Sequence, residues 1–290
     1  MAEGKTQIAV LSGKGGTGKT MLSVNLAAAI ENSLYVDCDV EEPNGHLFLK
    51  PSTENEKNVF VQHPKVCEQS CNGCRLCVKF CNFNALAYIQ EKLMVFEDIC
   101  HSCGGCALVC PQKAISEEDR TIGKISEGKS QNVKVLTGVL NPGEQSGVPI
   151  ISELVKMCRK EAGTTIIDCP PGSSCVVMDS IKDADYCILV AEPTIFGASN
   201  LEMVYELVKL FNKPFGVVLN KCLKDKNPAE EFCKEKGITV VGKIPFDHRL
   251  GKLNGDGQIA VRESKLYKRM FSDLYVRVAK EVKHETVINP

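Results

Sequence analysis

The sequence predicts an α/β protein with a mostly parallel sheet, interrupted by a small cysteine-rich insert. Three observations predict it. Outside residues 61–118, short apolar β-rich runs alternate with helical stretches, as a parallel sheet covered on both faces requires. One early run, Ile8 to Leu11, leads into the glycine-rich loop Gly13-Lys14-Gly15-Gly16-Thr17-Gly18-Lys19-Thr20, and an Ala-rich stretch, Met21 to Ile30, leaves it. From about Val61 to Glu118 the chain changes character, and the spacing CxxCxxCxxxC occurs twice, 29 residues apart.

The loop is the best-defined element, because it sits in the strand, loop, helix context that phosphate binding needs. Its glycines let successive backbone N–H groups point at phosphate oxygens with no Cβ in the way, and the helix behind adds a favourable dipole. Lys19 is then placed for the β and γ phosphates, and the Thr20 hydroxyl for magnesium. A glycine turn matching by chance would lack these flanks. Further on, Ser33 to Asp37 forms a strand ending in acids, Asp37 and Asp39, and Thr164 to Asp168 forms another. Carboxylates at strand ends beside a nucleotide loop lie where magnesium and an attacking water sit. Taken alone, they are also what an ordinary solvent-facing turn carries.

With Lys14 after the first glycine, the stretch KGGTGKT resembles the deviant Walker A loop of the MinD/ParA family and of the nitrogenase iron protein. That resemblance implies a P-loop NTPase binding ATP and Mg2+, in which Lys14 reaches the nucleotide of a partner subunit. The implied assembly is an ATP-dependent homodimer, or a heterodimer with a paralogue. It further implies that Asp39 orients the attacking water, that Asp37 and Asp168 serve the magnesium shell, and that Gly172, in the segment Asp168-Cys169-Pro170-Pro171-Gly172, senses the γ phosphate. On the same resemblance Asn220 reads the adenine edge, where its donor and acceptor suit that base, and Pro245 and Asp247 line it.

Composition narrows the setting. In 290 residues, 35 basic and 36 acidic side chains nearly cancel, which gives no sign of a nucleic-acid surface. The segment Met1 to Gln7 is short and polar, unlike a secretory signal, and no apolar run approaches a membrane span. Sixteen cysteines are therefore expected in a reducing cytoplasm, where dense cysteine signals metal more often than disulfide.

Cys71, Cys74, Cys77 and Cys81 make the first motif, and Cys100, Cys103, Cys106 and Cys110 the second, with Pro111 following. The repeat continues past the thiols, since Ala85-Leu86 recurs as Ala114-Ile115. Zinc sites take cysteine pairs rather than such triplets. The arrangement resembles the bacterial two-cluster ferredoxins, in which three cysteines of one copy and the fourth of the other hold each 4Fe-4S cluster. The resemblance assigns Cys71, Cys74, Cys77 and Cys110 to one cluster and Cys100, Cys103, Cys106 and Cys81 to the other. Asn82 departs from it, standing where Pro111 stands in the second copy, so a looser and more solvated turn is expected after Cys81. Cys67 is spare, either a buried free thiol or an alternative ligand.

The polar stretch Glu117 to Gln131 reads as a linker returning to the nucleotide domain. Strands are expected at Val133–Leu140, Tyr186–Ala191, Phe215–Leu219 and Ile238–Ile244, and helices at Pro149–Arg159 and Ser199–Leu210. A last helix, Glu263 to Val282, carries Leu266, Met270, Phe271, Leu274 and Val278 on one face, for core packing or membrane contact, before a short polar tail from His284. The expected domains are therefore 1–60 with 119–290, a MinD/ParA-like P-loop ATPase, and 61–118, a ferredoxin-like insert. The expected function is an ATPase whose nucleotide state couples to electron transfer through two 4Fe-4S clusters to a redox partner. The alternatives are a cluster carrier of the Mrp type and a positioning ATPase of the MinD kind.

Overall fold

A computed structural model describes the backbone of residues 5–223 and 227–288, and side chains as far as residue 283. Residues 1–4 of the polar N-terminal segment and residues 289 and 290 lie outside this description, whereas His284 to Ile288, expected as a polar tail, continue the last helix. Nine strands form one sheet, and the phosphate loop leaves the central one of its seven parallel strands. That strand, β1 (Thr6–Leu11), is followed by α1 (Lys19–Ala29), β2 (Ser33–Asp37), α2 (Gly45–Leu49) and β3 (Ser52–Val66). The cysteine region holds α3 (Leu76–Phe80), β4 (Leu86–Ile89), β5 (Lys92–Val95) and α4 (Gly105–Leu108). The chain returns along β6 (Ile115–Ser130), β7 (Val133–Leu140), α5 (Val148–Cys158), β8 (Thr164–Asp168), α6 (Cys175–Ile181), β9 (Tyr186–Ala191) and α7 (Ile195–Leu210). It ends with β10 (Phe215–Cys222), α8 (Pro228–Lys236), β11 (Val240–Pro245), α9 (His248–Gly255), α10 (Ala260–Glu263) and α11 (Lys265–Ile288).

The strand order is β11-β10-β9-β1-β8-β2-β7-β6-β3. Pairs from β11 to β7 are parallel, and β6 and β3 add an antiparallel edge. The mixture follows from the connections: helical crossovers join the parallel strands, whereas β6 turns directly into β7. Alternation along β1 sends Ile8 and Val10 to a core shared with Leu22, Leu26, Phe271 and Leu274. Ala9 and Leu11 enter a second core with Ile151, Leu154, Val204 and Val208. Both faces are thus buried, which is why the inner strands read as continuous apolar runs.

The expected return linker, Glu117 to Gln131, is instead most of β6. Its Gly123–Ser130 half pairs with β7 as well as β3, while its Ile115–Thr121 half pairs with β3 alone. Register fixes where this leads. Gly123 pairs with Leu140, the last residue of β7, so the β3/β6 ribbon projects past the edge of the sheet at which the parallel strands end. The phosphate loop lies at that same edge. Two smaller corrections concern helix and strand bounds, and a third a core position. α7 begins at Ile195, β10 continues through Asn220 and Lys221, and in α11 Leu266 is 70% exposed while Tyr267 takes the expected core place.

At the ribbon's tip the cysteine repeat is a repeat of structure. Helix α3 recurs as α4, 29 positions on, and the short 3-10 turn Glu68–Ser70 recurs as Glu97–Ile99. Phe96 N–H donates to Ala85 O, and Cys67 N–H donates to Ala114 O, both at 2.8 Å. The pairing Leu86 with Val95 in the β4/β5 hairpin is matched by Ile115 with Val66 in the ribbon. The two-stranded element that closes one copy is, in the other, lengthened into the stem. Ala85, Leu86, Ala114 and Ile115, the repeat positions beyond the thiols, are all buried at its centre.

Candidate functional site

Helix α1 starts at Lys19 with Gly18 as its N-cap in the left-handed region, φ 93°, and Gly16 also has positive φ, 78°. No side chain caps this N-terminus, so its first N–H groups stay available to an anion. Gly13 passes so close to the Asn200 backbone of α7 that a Cβ would overlap it. The buried Thr17 hydroxyl has no hydrogen-bond partner among the described residues, an orphan that a ligand would satisfy.

Lys19 is buried and donates to Asp168 Oδ1 at 2.8 Å, with Asp39 Oδ2 at 3.9 Å. Burial works against its ammonium, but Asp168, Asp39 and Asp37 outweigh that and hold its pKa above the ordinary lysine value. Register sets Asp37 of β2 beside Asp168 of β8. Burial and then Asp168 raise the Asp37 carboxyl well above the usual range, although Gly45 N–H donates to its Oδ2 at 2.9 Å. Burial likewise pushes Asp39 up to about 6, against the pull of Lys19. Three carboxyl groups, those of Asp37, Asp39 and Asp168, thus gather around one buried ammonium at the head of α1, next to Thr20.

Two residues that sequence reasoning passed over complete this cluster. Tyr35 Oη donates to Asp168 Oδ2 at 2.9 Å, and Ser23 Oγ donates to Asp168 Oδ1 at 3.1 Å. The available signal was a hydroxyl-bearing residue inside the otherwise apolar strand β2. Lys14, half-exposed, pairs with Glu192 Oε2 of its own chain at 2.9 Å. Glu192 also takes Lys221 Nζ at 2.6 Å, and that ammonium donates as well to Gly16 O at 2.8 Å.

The residues expected to meet the adenine are occupied within the chain. Asn220 donates to Thr17 O at 2.7 Å and accepts Lys221 N–H at 2.9 Å, so its amide props the loop. Asp247, just past Pro245 at the end of β11, caps α9 through Arg249 N–H and accepts Tyr267 Oη at 2.7 Å. Gly172 has φ 92° and donates its N–H to Ser12 O at 2.9 Å, which ties the second acid's loop to the phosphate loop.

The eight motif cysteines line two cavities. Cys71, Cys74, Cys77 and Cys110 surround one, and Cys81, Cys100, Cys103 and Cys106 surround the other, which is the roomier. Among the described residues no three His, Cys, Asp or Glu side chains converge as a single metal ion requires. Thiols spread around a cavity suit a polynuclear cluster instead. Cys67 is exposed rather than buried, and the Ser70 hydroxyl and backbone hold its thiol below the ordinary range. Its counterpart one repeat on is Phe96, which explains why it stands outside both sets.

The two regions are joined. Gln145 Nε2 donates to Asp98 O at 2.6 Å, and Arg120 makes a two-pronged pair with Glu144 at 2.6 and 2.8 Å. Their loop, between β7 and α5, begins where Leu140 N–H donates to Val40 O at 2.8 Å, next to Asp39. Gly147 at its far end lies so close to Val40 that a Cβ would overlap the side chain.

Fold and loop together define a P-loop nucleotide-binding protein with a mostly parallel sheet. The sequence pattern of the CobQ/CobB/MinD/ParA nucleotide binding domain matches residues 8–261, and the chain belongs to that family. An uncharacterized protein of Methanocaldococcus jannaschii is 32% identical over 255 residues, covering 84% of this chain and 87% of its own. The iron-sulfur cluster carrier protein of Pyrococcus horikoshii is 23% identical, covering 96% and 87%. The fold is similar to that of the septum site-determining protein MinD of Pyrococcus horikoshii, solved with Mg-ADP, at TM-score 0.58 and 19% identity, covering 93% and 94%. No helix among the described residues is long and apolar enough to cross a membrane.

Proposed function

We propose that this protein is an ATP-hydrolysing iron-sulfur protein whose nucleotide state governs electron transfer through two 4Fe-4S clusters to a partner. One observation carries the coupling: the ribbon holds the cysteine unit at the same sheet edge as the phosphate loop, and the β7–α5 loop touches both Val40 and Asp98. In this reading the free N–H groups of the loop and Lys19 hold the phosphates, with Thr20, Asp37 and Asp168 around magnesium. Asp39 orients the water that attacks the γ phosphorus, releasing ADP and phosphate. When ATP enters, Lys19 exchanges its carboxylates for phosphate, and Lys14 leaves Glu192 for the nucleotide of a second subunit. Asn220, Pro245 and Asp247 lie beside the adenine. The two cysteine sets hold the clusters, which supply one-electron chemistry when bound. Residues 61–118 act as the redox unit of a cytoplasmic dimer.

The test is anaerobic purification with iron and sulfide counting, then reductive titration with ATP, with ADP and without nucleotide. Different midpoint potentials or electron-delivery rates in the two nucleotide states are expected, and identical values would refute the coupling. A cluster carrier is the second reading, favoured by the Pyrococcus relative of that name. The chain has no CxxC pair outside the insert for a bridging cluster, and clusters held by four thiols each resist transfer. Rapid donation of iron and sulfide to an apo-protein would favour the carrier.

A further inference from the structure

The 29-residue repeat gives each wall position of one cysteine cavity a counterpart in the other, so their differences form an internal comparison. Around the first set stand Arg75, Tyr88 and Gln112, and the Arg75 guanidinium lies 4.9 Å from the Tyr88 ring centre. Each is a hydrogen-bond donor. The counterparts of these three around the second set are Gly104, Glu117 and Phe83, which bring a carboxyl group and an aromatic ring in place of the guanidinium, phenol and amide donors. Asn72 and Gly73 are exchanged for His101 and Ser102, and Asn82 also lines the second wall. Glu117 leans over Gly104, where a Cβ would meet its carboxylate at 3.1 Å. Phe83 is stacked on His101 at 3.8 Å. Besides thiols, Arg75 is the one charged side chain lining the first cavity, and Glu117 the one carboxylate lining the second, among the described residues.

We infer that these three exchanges set the sites apart in reduction potential. The Cys71, Cys74, Cys77, Cys110 site is the easier to reduce, and the Cys81, Cys100, Cys103, Cys106 site the harder. The inference rests on the reading that both sets hold 4Fe-4S clusters. Reduction adds one negative charge to a centre already surrounded by four thiolates, so a nearby cation and N–H or O–H donors favour it. A carboxylate and an aromatic wall oppose it. The harder site is also the inner one, because Cys100 shares a groove with Gln145 of the loop that touches the nucleotide domain. An electron entering there runs downhill to the outer site. One electron leaves the reduced inner site for the oxidised outer one, with no proton moved and no bond changed.

The experiment is a reductive titration of anaerobically prepared full-length holoprotein, followed by electron paramagnetic resonance, in wild type and in Glu117→Gln, Glu117→Tyr and Arg75→Gln. Two separated midpoints are expected. Either Glu117 variant raises the lower midpoint alone, by about tenfold in the reduction equilibrium, or about 59 mV for one electron. Arg75→Gln lowers the upper midpoint alone. Both positions lie on the surface of the unit, so the variants are expected to keep both clusters. A single midpoint, a split unmoved by these changes, or shifts of opposite sign would overturn the inference while leaving two clusters in place. Iron and sulfide well short of two clusters per chain, measured first, would overturn the parent reading instead.

Discussion

Asp168 receives three donors, and one of them, Tyr35, reaches it from below the nucleotide site. Gly45 packs against the Tyr35 hydroxyl so closely that no Cβ fits, while its N–H holds Asp37. In the proposed ATP state, with Lys19 turned to the phosphates, the tyrosine would keep Oδ2 of Asp168 fixed. Tyr35→Phe leaves the ring and removes a hydrogen bond to a charged acceptor, of the kind that contributes about 1.5–3 kcal/mol. The magnesium-dependent part of nucleotide affinity is expected to weaken by about tenfold or more, with magnesium-free affinity unchanged, measured by calorimetry with and without chelator. In an Asp168→Asn background the same change should add little. Glu192 has a different task, holding Lys14 and Lys221. Burial alone would raise its carboxyl, but the two ammoniums prevail and keep it below the usual value. Its stabilisation is therefore complete above the unfolded value, about 4.3, and is lost as pH falls through the lower folded one. Glu192→Gln should lower Tm at pH 7, and the difference from wild type should close as pH drops below about 4.

At the level of elements, the inner strands and the phosphate loop were legible because each strand buries both faces and each turn carries its chemistry in residue type. The β3/β6 ribbon was not. Most of β3 from Ser52 to Asn58 is exposed on both faces, so there is no alternation to read, and charged residues such as Glu54, Glu56 and Lys57 look like a linker. Tyr35 escaped notice for a related reason, since aromatic residues are ordinary strand formers and only the register reveals that its hydroxyl meets an acid. The ribbon's rigidity matters for coupling, and Arg120 with Glu144 braces it against the β7–α5 loop from mostly buried positions. Replacing Arg120 by Gln should leave ATP turnover within about twofold, since the pair lies away from the phosphate loop. The difference in midpoint potential between ATP and ADP states should shrink, as titrations in both nucleotides would reveal.

Across the whole molecule the two parts differ in what holds them together. The sheet is packed between two extensive buried clusters, whereas the cysteine unit buries little beyond Cys77, Leu86, Leu93 and Ile115 around its cavities. With the proposed clusters bound, such a small core would draw much of its stability from the metal. Stripping iron anaerobically with a chelator should unfold residues 67–114 and leave nucleotide binding intact. Hydrogen exchange would then rise across that segment while β1, β8 and β9 stay protected. The register of the stem carries a further consequence. Val66 and Ile115 face each other as neighbours, so the chain enters and leaves the cysteine unit at one point. A tight hairpin joining them would close the gap as β4 and β5 are closed, and would yield a trimmed enzyme with no disturbance to the sheet. Seen the other way, any protein with an antiparallel edge strand could accept this unit as a graft, its two ends arriving already side by side.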